Sequence, residues 1–431
     1  MPKHAPTHSS ARTQAAAILL EWLTTEQFPD RMLGTRHRNH ALLTEIVYGT
    51  LRHTRELQWI IDACTERSPK PEALAILYAG LYQLLYLDQV DEFAVVNESV
   101  ESAARLGWPK LKGLINAVLR RVLRDKDILL GQLAAQPLAV RISHPDHLVS
   151  RWQASFGTEP TESLCNWNNQ RPTTTLRVAC NRIPLGTFQE HLQKAGIVAM
   201  PHPARPDECL VLPRGTAVPD VPGFEQGWFI VQDPSTLAAV DLLDPQPEET
   251  ILDLCASPGG KTVAIAERMG DTGTLVATDM HADRMPRLKE NLARMQASRV
   301  RIDQVNAADP NDLAALRKRH ALQTVDGILI DAPCSNTGVI QRRPDARYRV
   351  TRKRLLQLAR LQRSILTSAA SLLSSGSRMV YSTCSLEKEE NEGLIDAWLA
   401  ENPSLRKRQE VHLVPPNSQT DGAYACVLIR K

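Results

Sequence analysis

The eight cysteines, at positions 64, 165, 180, 209, 255, 334, 384 and 426, include no Cys-x-x-Cys pair and follow no regular spacing. That argues against a zinc site and against a disulfide framework, and points to a reducing cytosol. No run approaches the roughly 18 apolar residues of a membrane span. The start, Met1-Pro2-Lys3-His4-Ala5-Pro6, lacks the apolar core of a secretory signal. An excess of charge of one sign is missing too. The 51 Lys and Arg stand against 48 Asp and Glu, a net +3, so the total says little about partners. There is no internal repeat at a fixed period and no long low-complexity tract. These absences leave a soluble cytoplasmic protein as the expectation. Its 431 residues allow two to four domains of about 150 residues each.

What is present falls into three textures. Residues 1–140 read as helix after helix, with apolar residues at helical spacing such as Leu42, Leu43, Ile46, Val47 and Leu51. Ala73 to Tyr86 is apolar nearly all round and is expected to be the central helix of a bundle. Val95 to Leu106 and Leu111 to Leu123 read as two further helices, the last carrying Lys110, Lys112, Arg120, Arg121 and Arg124, either a solvated helix face or a phosphate-binding flank. Residues 141–235 are broken by prolines into short pieces, the pattern of a small α+β domain. Residues 236–431 alternate strand and helix. This pattern predicts an α/β domain with a parallel sheet, closed by an antiparallel edge strand over Ala423 to Ile429.

Candidate chemistry gathers at the strand ends of that last domain, where an open parallel sheet keeps its ligand crevice. The first strand runs into Asp253-Leu254-Cys255-Ala256-Ser257-Pro258-Gly259-Gly260-Lys261-Thr262. A phosphate-binding P-loop would need glycine at position 255, which is Cys255. A nucleoside site fits better, because Asp279 ends the next strand where an acid can accept from ribose hydroxyls. Ile328-Leu329-Ile330 reads as a strand buried on both faces; Asp331, Pro333 and Cys334 follow it, and Cys384 follows the next strand. A lone cysteine is usually a small buried hydrophobe, but two at corresponding strand ends suggest paired work. A helix opening near Leu386 is expected to favour the Cys384 thiolate, with Glu387, Glu389 and Glu390 opposing it. Thiolate addition at carbon 6 of a pyrimidine makes carbon 5 nucleophilic enough to take a methyl group. An acid such as Asp331 would stabilise the charge that develops on the ring, and a second thiol would assist proton removal or release of the enzyme.

Four motifs together resemble the Sun-type RNA cytosine-C5 methyltransferases: Asp331-Ala332-Pro333-Cys334-Ser335 with Thr337-Gly338-Val339-Ile340, Arg343-Pro344-Asp345, Thr383-Cys384-Ser385 with Glu389-Glu390-Asn391, and the Asp253–Thr262 loop. The front half, through residues 41–52 and 111–121, is similar to the NusB-like helical domain of the family's bacterial small-subunit rRNA branch. The resemblance implies a NusB-like RNA-binding domain at 1–140, a small RNA-recognition-type domain at 141–235, and a Rossmann-like methyltransferase domain at 236–431. It implies S-adenosyl-L-methionine as cofactor, held by Cys255, Ala256, Ser257, Pro258, Gly259, Gly260, Lys261, Asp279, Asn306 and Asp331, with no metal. Cys384 matches the family's nucleophile, Cys334 the cysteine linked to product release, and Asp331 the acid facing methionine and base. Two positions depart from the family: Asn306 stands where an acid usually meets adenine, with Asp309 close by as a substitute, and Asn336 stands where glycine is common.

Between Gln341 and Arg363 lie Arg342, Arg343, Arg347, Arg349, Arg352, Lys353, Arg354, Arg360 and Arg363, with Tyr348 interleaved and Asp345 the only acid. Phosphate contacts beside the active site are expected there. The expected function is methylation of carbon 5 of a cytosine in 16S rRNA, naked or partly assembled, by a monomer acting neither on DNA nor at a membrane. The rivals are an antitermination-type RNA-binding factor with an inactive methyltransferase domain, a cytosine methyltransferase acting on another RNA or on DNA, and, more distantly, a P-loop nucleotidase.

Overall fold

A computed structural model describes residues 10–25, 27–33, 40–270 and 272–430; the chain start considered above lies outside them. The chain divides into two compact units, one of Met1–Gln170 with Arg343–Tyr348, the other of Arg171–Arg342 with Arg349–Lys431. No helix among the described residues is long and apolar enough to cross a membrane.

The first unit is helical. Ser10 caps the helix Ala11–Thr24 by accepting from Thr13 N–H, and Asp91 caps Glu92–Arg105 by accepting from Phe93 and Ala94 N–H. The helix Pro71–Tyr86 starts on a proline at its first position and buries side chains on every face, including Ile76, Leu77, Tyr78, Leu81 and Leu84. It packs among Leu19, Ile46, Leu51, Val95, Ile115 and Leu119, each buried aliphatic side chain contributing about 1.5–3 kcal/mol. Gly49 of the helix His40–Cys64 permits the closest approach, since a Cβ there would meet the Tyr82 ring at 1.9 Å. The cationic flank is largely paired within the unit: Lys112 with Glu101 at 2.7 Å, Arg124 with Asp125 at 3.0 Å and Arg121 with Asp125 at 3.6 Å. The short helices Asp146–Phe156 and Thr158–Asn169 complete the unit.

Residues 343–348 enter this helical core. Arg347 is fully buried. Its guanidinium donates to Ser143 O at 2.9 Å, Arg52 O at 3.1 Å, Asn169 Oδ1 at 2.8 Å and Asn168 O at 3.3 Å. Tyr348 meets Trp22 edge-to-face, ring centres 5.6 Å apart.

The second unit holds two sheets. In the smaller, β1 (Thr175–Val178), β2 (Met200–His202), β3 (Arg205–Val211) and β4 (Phe229–Val231) lie in the order β2-β3-β1-β4, all antiparallel. Phe188 and Leu192 of the helix Leu185–Lys194 pack on Leu176, Val178 and Phe229. The larger sheet comprises β5 (Thr250–Leu254), β6 (Thr274–Asp279), β7 (Arg301–Gln304), β8 (Gly327–Asp331), β9 (Arg378–Thr383), β10 (Leu405–Leu413) and β11 (Ala423–Arg430), in the order β10-β11-β9-β8-β5-β6-β7. Strands β5 to β9 pair parallel, while β11 runs antiparallel to β9 and β10 antiparallel to β11. Ile328, Leu329 and Ile330 are fully buried, as a central strand covered on both faces requires. The chain reverses its direction of strand addition between β5 and β8, so the crevice opens at their carboxyl ends. The last strand is not the edge expected from sequence. It is second from the edge, covered by β10, whose alternation is hidden by Arg406, Lys407, Arg408 and Glu410 and by an irregularity between Lys407 and Gln409.

Candidate active site

Three strand-to-loop turns build the site. After β5, Cys255 takes a left-handed backbone (φ 65°) and Gly259 another (φ 101°), where a Cβ would meet the Leu288 side chain at 2.8 Å. The loop then runs into the helix Gly260–Arg268, leaving its first N–H groups free for a ligand. Asp253 beneath it is fully buried; its Oδ2 accepts from Thr262 Oγ1 at 2.6 Å and its Oδ1 has no hydrogen-bond partner. Burial pushes its carboxyl up to about 7. Asp279, at the end of β6, is buried and accepts from His281 N–H at 2.9 Å. A glycine-lined cradle beside two buried acids, one with an unpartnered oxygen, fits a polar nucleoside group.

Lys261 reaches across the turn to Asp331 at the end of β8, Nζ to Oδ2 2.7 Å. Burial alone would lower the Lys261 pKa, but Asp331 outweighs it and holds the ammonium above its ordinary range. Ser382 Oγ donates to the other Asp331 oxygen at 3.2 Å.

The parallel pairing of β8 with β9, with Asp331 opposite Ser382, carries both thiol turns to one place. Cys334 Sγ lies 3.1 Å from Cys384 Sγ. The Cys384 thiol also has Asn336 Oδ1 as an acceptor at 3.1 Å. The hydrogen bond to Cys384, together with burial, raises the Cys334 pKa well above that of a free thiol, so Cys334 stays protonated and can donate to its neighbour. Gly338 N–H donates to Cys384 O at 2.9 Å and Gly338 O accepts from Gly422 N–H at 2.8 Å. A Cβ on Gly338 would sit 2.4 Å from Gly422 O, so no larger residue fits. Asn336 adopts φ 62°, a conformation glycine enters freely and asparagine tolerates.

Some expectations change. The helix expected to open near Leu386 begins instead at Glu392, after a turn closed by side-chain hydrogen bonds, so its N-terminus does not lie beside Cys384 in sequence. Asn306 Oδ1 accepts from Ala308 N–H at 3.1 Å, and Asp309 caps the helix Pro310–Arg319. One Asp309 oxygen thus accepts from Asn311 N–H at 2.8 Å. The arginine run does not form one surface. Arg342 pairs with Asp233 at 2.9 Å and Asp421 at 2.5 Å, Arg343 and Arg347 belong to the helical unit, and Arg363 pairs with Glu401. The exposed remainder is Arg352, Lys353, Arg354 and Arg360 on the helix Arg352–Ala370. From its sequence Glu390 is expected to act only as a charge on a nearby thiol. It is a fully buried acceptor for both cysteine turns, and its place in the Glu389-Glu390-Asn391 motif was the signal available.

Residues 240–428 match the family model described as 16S rRNA methyltransferase RsmB/F, residues 9–124 the NusB family, and residues 144–219 an RsmF/B-like, ferredoxin-like domain. The ribosomal RNA small subunit methyltransferase B of Serratia proteamaculans is 38% identical over 91% of this chain and 91% of its own length. The probable ribosomal RNA small subunit methyltransferase B of Synechocystis sp. is 32% identical over 97% of this chain and 95% of its own. Among solved structures, PH0851 superposes with a TM-score of 0.80 at 23% identity, covering 98% of this chain and 99% of that one. NSun6 from Pyrococcus horikoshii with SFG gives 0.59 at 20% identity, over 66% of this chain and 98% of that one. Both share the fold. With NusB, ferredoxin-like and Rossmann-like parts in this order, the chain belongs to the RsmB/F family of S-adenosylmethionine-dependent methyltransferases.

Proposed function

We propose that this chain methylates carbon 5 of a cytosine in 16S rRNA through a covalent adduct on Cys384. The observation that carries the reading is the 3.1 Å approach of Cys334 and Cys384 at the ends of adjacent strands, with Cys334 three residues after the Asp331 that pairs with Lys261. Cysteine brought to cysteine by two motifs, without a disulfide, suits a reaction in which one sulfur bonds to the base and the other handles a proton.

The backbone of Cys255, Ala256, Ser257, Pro258, Gly259 and Gly260 would hold S-adenosylmethionine, with Lys261 and Asp331 toward its methionine end, Asp279 toward the ribose and Asn306 toward the adenine. When bound it supplies an electrophilic methyl group. Cys384, its thiol proton first released to solvent, adds as the thiolate to carbon 6 of the cytosine, and the carbon 5–carbon 6 π pair shifts to carbon 5. Asp331 accepts a hydrogen bond from the exocyclic amine, and the Lys261 ammonium beside it offsets charge developing on the ring. After methylation, the carbon-5 proton leaves to a base, the carbon 6–sulfur bond breaks, and its electron pair returns to Cys384. Cys334, protonated at rest, serves this release. A base inside a duplex cannot reach two thiols, so the target is an unstacked cytosine.

We also propose that the chain works in the cytoplasm as a monomer on naked or partly assembled rRNA, with a NusB-like part at 1–140, a small α+β part at 141–235 and a catalytic part at 236–431. Labelled methyl transfer to 16S rRNA, followed by mapping of the modified base, tests the reading: 5-methylcytosine is expected, and label on any other atom or on no RNA rejects it. Exchanging Arg352, Lys353, Arg354 and Arg360 for alanine is expected to flatten the salt dependence of RNA binding by about 0.7 in log–log slope per lost phosphate contact. An unchanged slope removes this helix from the RNA surface.

A further inference from the structure

Glu390 has no exposed surface, yet its carboxylate is bonded to both thiol turns. Oε1 accepts from the Ser335 N–H at 2.9 Å and from Gln362 Nε2 at 3.0 Å. Oε2 accepts from Ser385 Oγ at 2.6 Å and from Ser335 Oγ. Ser335 follows Cys334 and Ser385 follows Cys384, and the two hydroxyl oxygens are 3.1 Å apart. Gln362 meanwhile donates to Pro333 O at 2.9 Å, so a third element grips the turn before Cys334.

A buried carboxylate is costly unless its oxygens are satisfied, and here the donors described are neutral ones drawn from the two turns and from the helix Arg352–Ala370. A carboxylate is the side chain that accepts on both oxygens at once. A glutamine of the same shape would turn an NH2 group toward at least one of these donors. The residue is thus matched to joining the turns.

We propose that Glu390 is a positioning residue that fixes the spacing of the Cys334 and Cys384 sulfurs through Ser335 and Ser385. This rests on the two-thiol reading above. Glu390 makes no bond to the substrate; it keeps two reacting groups in place, where a displacement of about 1 Å can cost about 100-fold in rate.

The test needs a readout of sulfur spacing apart from RNA chemistry. Phenylarsine oxide provides one: two thiols displace its oxygen, forming two As–S bonds and one water, and the pair must be close. The full-length protein is expected to capture it, with Cys334→Ala and Cys384→Ala defining the background from the other cysteines. Glu390→Gln is expected to weaken that capture about tenfold, because the sulfurs are no longer pre-organised. In methyl transfer the same variant should lose about 100-fold in kcat with KM for RNA unchanged. Should Glu390→Gln not fold, the Ser335→Ala/Ser385→Ala double variant removes the hydroxyl donors from the opposite side, and the same two losses are expected. A folded variant with undiminished arsenical capture, or with undiminished kcat, overturns the proposal. If the wild-type protein captures the arsenical, Glu390→Gln loses it, and the wild type puts no methyl on cytosine, the positioning role stands and the catalytic reading falls.

Discussion

Cys384→Ala is expected to abolish methyl transfer, with a loss above about 10⁴-fold, as when the nucleophile of a covalent enzyme is removed. Cys334→Ala is expected to do something different: to trap the RNA. With Cys384 intact, its sulfur still adds to carbon 6, but the residue that serves release is gone and the carbon–sulfur bond persists. Denaturing electrophoresis should then show a protein band shifted by the mass of the RNA, absent from Cys384→Ala and from the double variant. The two sulfurs are not interchangeable in their surroundings. Cys334 is kept protonated by its hydrogen bond to Cys384 and by burial, whereas the Cys384 sulfur has both Cys334 and Asn336 beside it. A trapped adduct in Cys384→Ala, with Cys334→Ala inert, would mean that the roles are exchanged, as in a DNA-type cytosine methyltransferase.

The second large effect is on stability. Arg347→Met is expected to destabilise the helical unit by about 3–5 kcal/mol. Removing the cation relieves a desolvation cost of several kcal/mol, but that cost is already offset by four oxygens facing the guanidinium. Methionine leaves the Ser143, Arg52 and Asn168 carbonyls and Asn169 Oδ1 without this donor, at about 1–3 kcal/mol for each that finds no other partner. The orphaned acceptors win. At a slope near 2 kcal/mol/M, the urea midpoint should fall by about 2 M. Arg343→Met is the control: its contact with Asp30 is 3.5 Å long between half-exposed side chains, worth under about 1 kcal/mol. Equal shifts for the two variants would refute a special role for Arg347.

Arg347 also marks where sequence reading reached its limit. Nine basic residues close in sequence need not be close in space; the fold sends Arg342 to two aspartates and Arg347 into a helical core. What was legible depended on short-range pattern. The all-apolar Ile328–Ile330 strand, the Gly259-Gly260 turn and the apolar helix read over Ala73 to Tyr86 each carry their cause locally. The meeting of Cys334 with Cys384 was legible too, because parallel β8 and β9 end side by side. Strand β10 was not, since its Arg406–Glu410 stretch is charged and only one strand covers it. The role of Glu390 was hidden for a related reason: an acid in a run of acids looks solvated until its burial is known.

The excursion of residues 343–348 sets an order on synthesis. A ribosome that has released residues 1–170 has made only part of what the helical unit contains, because Arg347 is still uncoded into chain. Until residue 348 emerges, the carbonyls of Ser143 and Asn168 lack that partner. The front of the protein therefore matures late, and a fragment cut at residue 170 would be a poor proxy for it.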